Sequence, residues 1–200
     1  GASDGVGTVQ ITNTGGTTFT TTVGSSSYSL ALIDIDESTT FSGSVDATAI
    51  NNAASKTATF SDNVTATITN SGTLLFNATD AKSVTGTIAE AAGGDTTEIK
   101  VINSANGEAP SVVTFTGTVA ADTLTIGTTT HGGAALFAEA VTVPTINITG
   151  ANSGDENSTA TFNKAVTATT IVLDNSGIAG TAKIIFAANN SVTITGTIDG

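Results

Sequence analysis

Phenylalanine recurs along this chain at the spacing of a repeat protein, and that period constrains its fold more than any other feature. The eight residues are Phe19, Phe41, Phe60, Phe76, Phe115, Phe137, Phe162 and Phe186, separated by gaps of 22, 19, 16, 39, 22, 25 and 24 residues. The one long gap holds Glu98-Ile99-Lys100-Val101-Ile102, an alternating segment where a ninth element places Ile or Val in the Phe position. The mean spacing then becomes about 21 residues, a usual length for one coil of a solenoid.

The repeat extends beyond Phe. Six of the eight are followed four residues later by Val, as in Phe60/Val64 and Phe162/Val166. Three successive units keep identical offsets: Phe115, Val119, Leu124, Ile126, then Phe137, Val141, Ile146, Ile148, then Phe162, Val166, Ile171, Leu173. Longer words also return. TATFSDNVTATI at 57–68 reappears as TATFNKAVTATTI at 159–171, and the Thr-Gly-Thr-Ile of 85–88 reappears at 195–198. Duplication within a single repetitive β domain over 1–200 explains this, with units near 16–38, 39–57, 58–73, 74–95, 96–112, 113–134, 135–158, 159–182 and 183–200.

Side chains alternate between the two faces of a strand, so Phe162 and Val166 share the inward parity while Thr161, Asn163 and Thr167 point out. Lys164, Asp62 and Gly117 fall on the inward parity between Phe and Val, which predicts a bend there rather than a core position. The offset of five from Val166 to Ile171 reverses parity, as a corner does. Such units build an all-β, parallel β-solenoid of about nine coils, a rod of roughly 43 Å at the strand spacing of about 4.8 Å. The alternative is an antiparallel β-sandwich. Hairpins call for regular Asn-Gly or Asp-Gly turns, and only Asp4-Gly5, Asn106-Gly107 and Asp199-Gly200 occur here, at no regular interval.

Composition narrows the function. About a fifth of the chain is Thr, with 22 Gly and only two Pro, which suits short strands and tight turns. There is no Cys, and hence no disulfide framework or thiolate metal site. The net charge of −12 with no Arg argues against nucleic acid, and no apolar run approaches the roughly 18 residues of a membrane helix. The chain opens on Gly1, with no charged segment and apolar run behind it, which points to processing or excision.

The Thr-, Asn- and Gly-rich units of the form TATF-x3-V-TA-x-TI-x-L-x-NSG resemble the β-strand repeats of large bacterial surface proteins, including autotransporter passenger domains and repetitive surface-layer proteins. The likeness covers about residues 16–200. It implies an extracellular, stacked β-architecture. The chain departs from two relatives: it carries neither the calcium-binding GGxGxDxUx nonapeptide nor a C-terminal translocator barrel.

β-Helical polysaccharide-acting enzymes use Arg or Lys beside acidic clusters, whereas here five scattered lysines stand alone: Lys56, Lys82, Lys100, Lys164 and Lys183. A Ser-His-Asp triad needs His131, which sits in the turn sequence Thr129-Thr130-His131-Gly132-Gly133. No catalytic, cofactor or metal site is assigned. Calcium is the one ion the composition leaves open, at Asp34-Ile35-Asp36-Glu37, at Asp155-Glu156, or at Asp95 with Glu98, none with the ligand spacing of an EF-hand. The plainer reading of these is solvated acidic turns. Five sequons, at Asn63, Asn77, Asn147, Asn157 and Asn189, match the roughly 4.5 that 15 Asn give by chance at a Ser/Thr content of about 30%. Thr ranks of the ice-binding kind break at Leu75, Leu136 and Ile185.

The expectation is therefore a secreted, non-enzymatic, self-assembling cell-surface scaffold forming a surface layer or fibre. The runner-up is an adhesin or passenger domain that binds a glycan or other surface ligand; a polysaccharide-acting enzyme is a distant third. No nucleic acid or membrane insertion is expected. The alternating Ser191–Asp199 stretch and the N-terminal Gly7–Thr12 stretch present strand edges suited to self-association.

Overall fold

The computed structural model describes residues 4–93, 95–103, 109–151, 156–175, 180–187 and 192–200. These form one sheet of 21 strands, and every strand pairing in it is parallel. The chain is a parallel β-solenoid, and the sandwich alternative falls because no hairpin pairing occurs among the described residues. Three ladders run along the rod, here called faces I, II and III.

The first strand, β1 (Thr8–Ile11), lies on face III. The first circuit then runs through β2 (Thr17–Phe19) on face I, Val23 on face II, and β3 (Leu30–Ile35) on face III. In the second, β4 (Thr39–Phe41) is followed by β5 (Val45–Asn52), which turns from face II to face III at a bulge between Asp46 and Ala49. The third repeats this with β6 (Thr57–Phe60) and β7 (Val64–Asn70). From the fourth circuit the faces take separate strands: β8 (Thr73–Phe76), β9 (Lys82–Thr85) and β10 (Ile88–Glu90). The fifth is β11 (Glu98–Val101), β12 (Val112–Phe115) and β13 (Val119–Ala120). The sixth is β14 (Thr123–Ile126), β15 (Ala134–Phe137) and β16 (Val141–Thr142). β17 (Thr145–Thr149), β18 (Ser158–Phe162) and the start of β19 (Val166–Asp174) make the seventh. The end of β19, β20 (Ala182–Phe186) and the start of β21 (Val192–Asp199) make the eighth.

The end of β21 then returns to face I. The chain thus crosses face I nine times and completes slightly fewer circuits than the nine coils expected. Each sequence unit still contributes one face I strand; the last unit only begins a circuit.

Identical side chains stack because the ladders stay in register. Face III carries one apolar column through Val9, Ile33, Ile50, Ile68, Ile88, Val119, Val141, Val166 and Val192. Its members between Ile33 and Val166 are buried. All eight Phe rings form a continuous row, with neighbouring centroids 4.9 to 5.9 Å apart. Such pairs add about 0.5–1.5 kcal/mol each beyond burial.

The row does not stay on one face. Phe19, Phe41, Phe60 and Phe76 stand on face I, where the ladder continues as Val101, Ile126, Ile148 and Leu173. Phe115, Phe137, Phe162 and Phe186 stand on face II, above Val84, Val64 and Val45. Phe thus occupies two repeat positions, one in each half of the rod, while its rings still form a single row. Rings from the two faces meet only at Phe76 and Phe115, edge to face at 90° and 5.1 Å, whereas every other pair is within 24° of parallel. The step is possible because the interior is narrow enough for side chains of both faces to share one axis.

Corners fall where the parity predicted. Asp62, Gly117 and Lys164 occupy bends between a Phe strand and the following Val. The change of offset after Val166 is a bulge between Ala168 and Thr170, where the N–H groups of Thr169 and Thr170 both donate to the Pro144 carbonyl at 2.8 and 2.9 Å. Glycine is required at the stacked corner of Gly86 and Gly117: Gly86 has φ +115°, and a Cβ on Gly117 would lie 2.1 Å from the Gly86 carbonyl oxygen.

Candidate functional site

The polar residues with the most organised surroundings sit at the corners and bind one circuit to the next. Four times an Asp or Asn side-chain oxygen accepts both the N–H and the O–H of a Ser or Thr one circuit away. Asp4 accepts from Ser29 at 2.8 and 2.7 Å, and Asn63 from Ser83 at 2.8 and 3.3 Å. Asp122 accepts from Thr97 at 2.8 and 3.3 Å, and Asn157 from Thr181 at 2.8 Å twice. Each brace satisfies a backbone donor at a corner or, for Ser83, near the start of a strand, where the ladder leaves it no carbonyl acceptor. The Ser29 donors also hold the Asp4 carboxyl below its ordinary pKa.

Two buried asparagines form a second device. Asn52 Nδ2 donates to Asn70 Oδ1 at 2.8 Å, and Asn70 Oδ1 also accepts the Gly72 N–H at 3.1 Å. The corner after Asn52 is two residues longer, since Asn52 pairs with Asn70 and Thr57 with Thr73. That longer turn closes on itself through Lys56 N–H to the Ala53 carbonyl, with Ser55 at φ 61°. The buried Asn52 Oδ1 is consequently left without a hydrogen-bond partner. None of these roles was foreseen from the sequence. The available signal was an Asx residue 20 to 25 positions from a Ser or Thr, readable only once the register is known.

The candidate ion ligands are dispersed. Asp36 accepts from Gln10 Nε2 at 2.7 Å, and Glu37 pairs with Lys56 at 2.6 Å. Glu98 pairs with Lys100 at 2.9 Å and accepts from Thr125 at 3.0 Å, while Asp34 stands on the outer side of face III and Asp95 is exposed. Glu156 is buried, and Asp155 lies outside the described residues. Among the described residues no three His, Asp or Glu side chains come together as a metal would need.

His131 closes a turn: Thr128 N–H donates to its carbonyl at 2.7 Å, and its ring Nδ1 is 3.0 Å from the Thr130 hydroxyl. Lys82 pairs with Asp62 at 3.0 Å, and the Asp62 carboxyl is held below its ordinary pKa chiefly by the Asn63 N–H, against the effect of burial and with help from Lys82. Lys164 and Lys183 are exposed. Of the sequons, Asn63 and Asn157 serve as braces, Asn147 is half-buried in β17, Asn77 is exposed after β8, and Asn189 lies outside the described residues, as does Asn106-Gly107.

Depressions lie on the outer surface of the described residues, two of them over the ladders. The larger, about 420 Å³, lies on face II and is lined mainly by apolar groups of Pro110, Val112, Ala134 and Leu136, with Thr159 and Thr161 at its side. The smaller, about 230 Å³, runs over face I of the first three circuits and is lined by Thr18, Thr40 and Thr59. Those threonines are in register, and Leu75 and Lys100 end the rank in the next two circuits. Among the described residues no helix is long and apolar enough to cross a membrane.

The chain matches no protein-family model, no curated protein and no solved structure.

Proposed function

We propose that this chain is an extracellular structural protein, a non-catalytic scaffold at a cell surface. The observation that carries this reading is where the organised chemistry goes. Apolar columns, braces and inter-circuit ion pairs all hold one circuit on another. Parallel ladders of this kind resist bending and proteolysis, because every inner backbone group is paired on both sides. The outer Thr, Ser and Asp side chains keep such a rod hydrated, and its stacked core and ladders hold it together without a disulfide framework.

The test is to label intact, unpermeabilised source cells with an antibody against the chain. A continuous coat or fibres bearing the label support the scaffold; label seen only after permeabilisation sinks it. Adhesion is the second reading, favoured by the apolar depression on face II. Immobilised chain that captures cells or glycans, and loses this when Leu136 is changed to Lys, would favour adhesion over a purely mechanical role.

A further inference from the structure

We propose that the depression on face II binds a run of neutral sugar residues. The inference rests on the adhesive reading, to which it gives a ligand class and a place on the rod. The site lies in the fifth to seventh circuits, and the register builds it. Val112, Ala134 and Thr159 stack in one outward rank, and Thr114, Leu136 and Thr161 in the rank beside it. Ala134 points outward, since Ala135 and Phe137 point in, yet it is only 8% exposed. Its methyl is the floor of the hollow, and the longer side chains of Val112, Leu136 and Thr159 stand around it. Pro110 and Asn157, at the corners before β12 and β18, line the other side. Val112 is the one large apolar residue exposed among the described residues of circuits two to seven.

The hollow is held in shape by the buried Asn103. Its Oδ1 accepts the Ala134 N–H at 2.8 Å, and its Nδ2 donates to the carbonyls of Ser111 and, at 3.3 Å, of Ala134. The walls differ in chemistry. Val112 and Leu136 are aliphatic, whereas the Thr159 and Thr161 hydroxyls hold no hydrogen bond within the described residues. Asn157 Oδ1 is taken by the Thr181 N–H and O–H, both at 2.8 Å, which leaves its Nδ2 as a donor for a ligand. Among the described residues that line the hollow none is charged, in a chain of net charge −12. A charged ligand would lose its water there without gaining a counter-ion, and a purely aliphatic one would cover the hydroxyls and the amide without answering them. A pyranose ring suits both walls: its C–H face packs on Val112 and Leu136 while hydroxyls at its edge meet Thr159, Thr161 and Asn157. At about 420 Å³ the hollow falls within the roughly 300–1,000 Å³ of small-molecule sites, and because it is open to solvent it can take one stretch of a longer chain.

The test titrates the whole purified chain, by calorimetry and up to millimolar sugar, with cellohexaose, N-acetylchitohexaose and a linear mannohexaose. Hexagalacturonate and an uncharged apolar peptide serve as the competing occupants. At least one neutral sugar should bind. Ala134→Leu fills the floor and should abolish that binding. The T159V/T161V variant keeps the shape but removes both hydroxyls, and should weaken binding about tenfold while leaving the melting temperature unchanged. Should Ala134→Leu fail to fold, T159V/T161V decides alone. No binding of any neutral sugar overturns the proposal, as does binding that T159V/T161V leaves intact. Uptake of only the acidic sugar or only the peptide overturns it too. A chain that binds no neutral sugar but still captures cells removes this site while leaving adhesion to another surface in place.

Discussion

The first four circuits and the last four use the same words on different faces. TATF at 57–60 forms β6 on face I and runs on through Val64 on face II, whereas TATF at 159–162 forms β18 on face II and runs on through Val166 on face III. In both places the Ala of the word and its Phe are buried. The difference teaches that the word specifies a strand, a bend and an inward Val, not a particular side of the rod. What each column keeps through the step is its apolar character rather than the identical residue: Phe76 gives way to Val101 on face I and Val84 to Phe115 on face II.

The largest expected effect tests that equivalence. Phe60→Ala and Phe162→Ala each remove a ring between two others, so each should cost about 3–5 kcal/mol in urea unfolding, nearly equally although the faces differ. A loss confined to one of the two would break the equivalence of faces. Next comes the junction between the halves. Gly117→Ala should cost about 1–3 kcal/mol, because its methyl meets the Gly86 carbonyl in the circuit below; an unchanged melting temperature would show that the corner can relax.

Only the first half carries the paired asparagines of circuits two and three. Asn70→Ala should cost about 1–3 kcal/mol by stranding the Gly72 N–H and removing the shortest of the Asn52 amide's hydrogen bonds, and a neutral result would mean water replaces the side chain. The smallest effect concerns Asp62. Its pKa is depressed on folding, so its contribution is present above the unfolded value near 3.9 and is lost as pH falls through the lower folded value. Asp62→Asn should therefore lower stability at pH 7 by no more than about 1 kcal/mol and make no difference at pH 2, as followed by thermal melts at both.

Much of this was legible in the residues. The Phe period gave the coil length, the parity of Asp62, Gly117 and Lys164 located bends, and the missing ninth element stands where it was expected, with Val101 opposite Phe76. The step between faces was not legible. A bend of three residues separates Phe from Val whether the chain passes from face I to II or from II to III, so the local pattern is the same on both sides of the step. The braces were hidden for a related reason: Asp122 and Thr97 are 25 residues apart, and only the ladder brings them together. Dispersal of the acidic candidates was equally invisible, because Glu37 and Lys56 meet only through stacking.

The in-register columns carry a last consequence, for length. Each circuit asks of its neighbour only what that neighbour asks of the next, so a duplicated circuit inserted between two others meets the same partners above and below. The rod would lengthen by one rung of about 4.8 Å with nothing else redesigned. Such a molecule is a ruler whose gradations are written in the gene, and the distance it spans is set by copying rather than by invention.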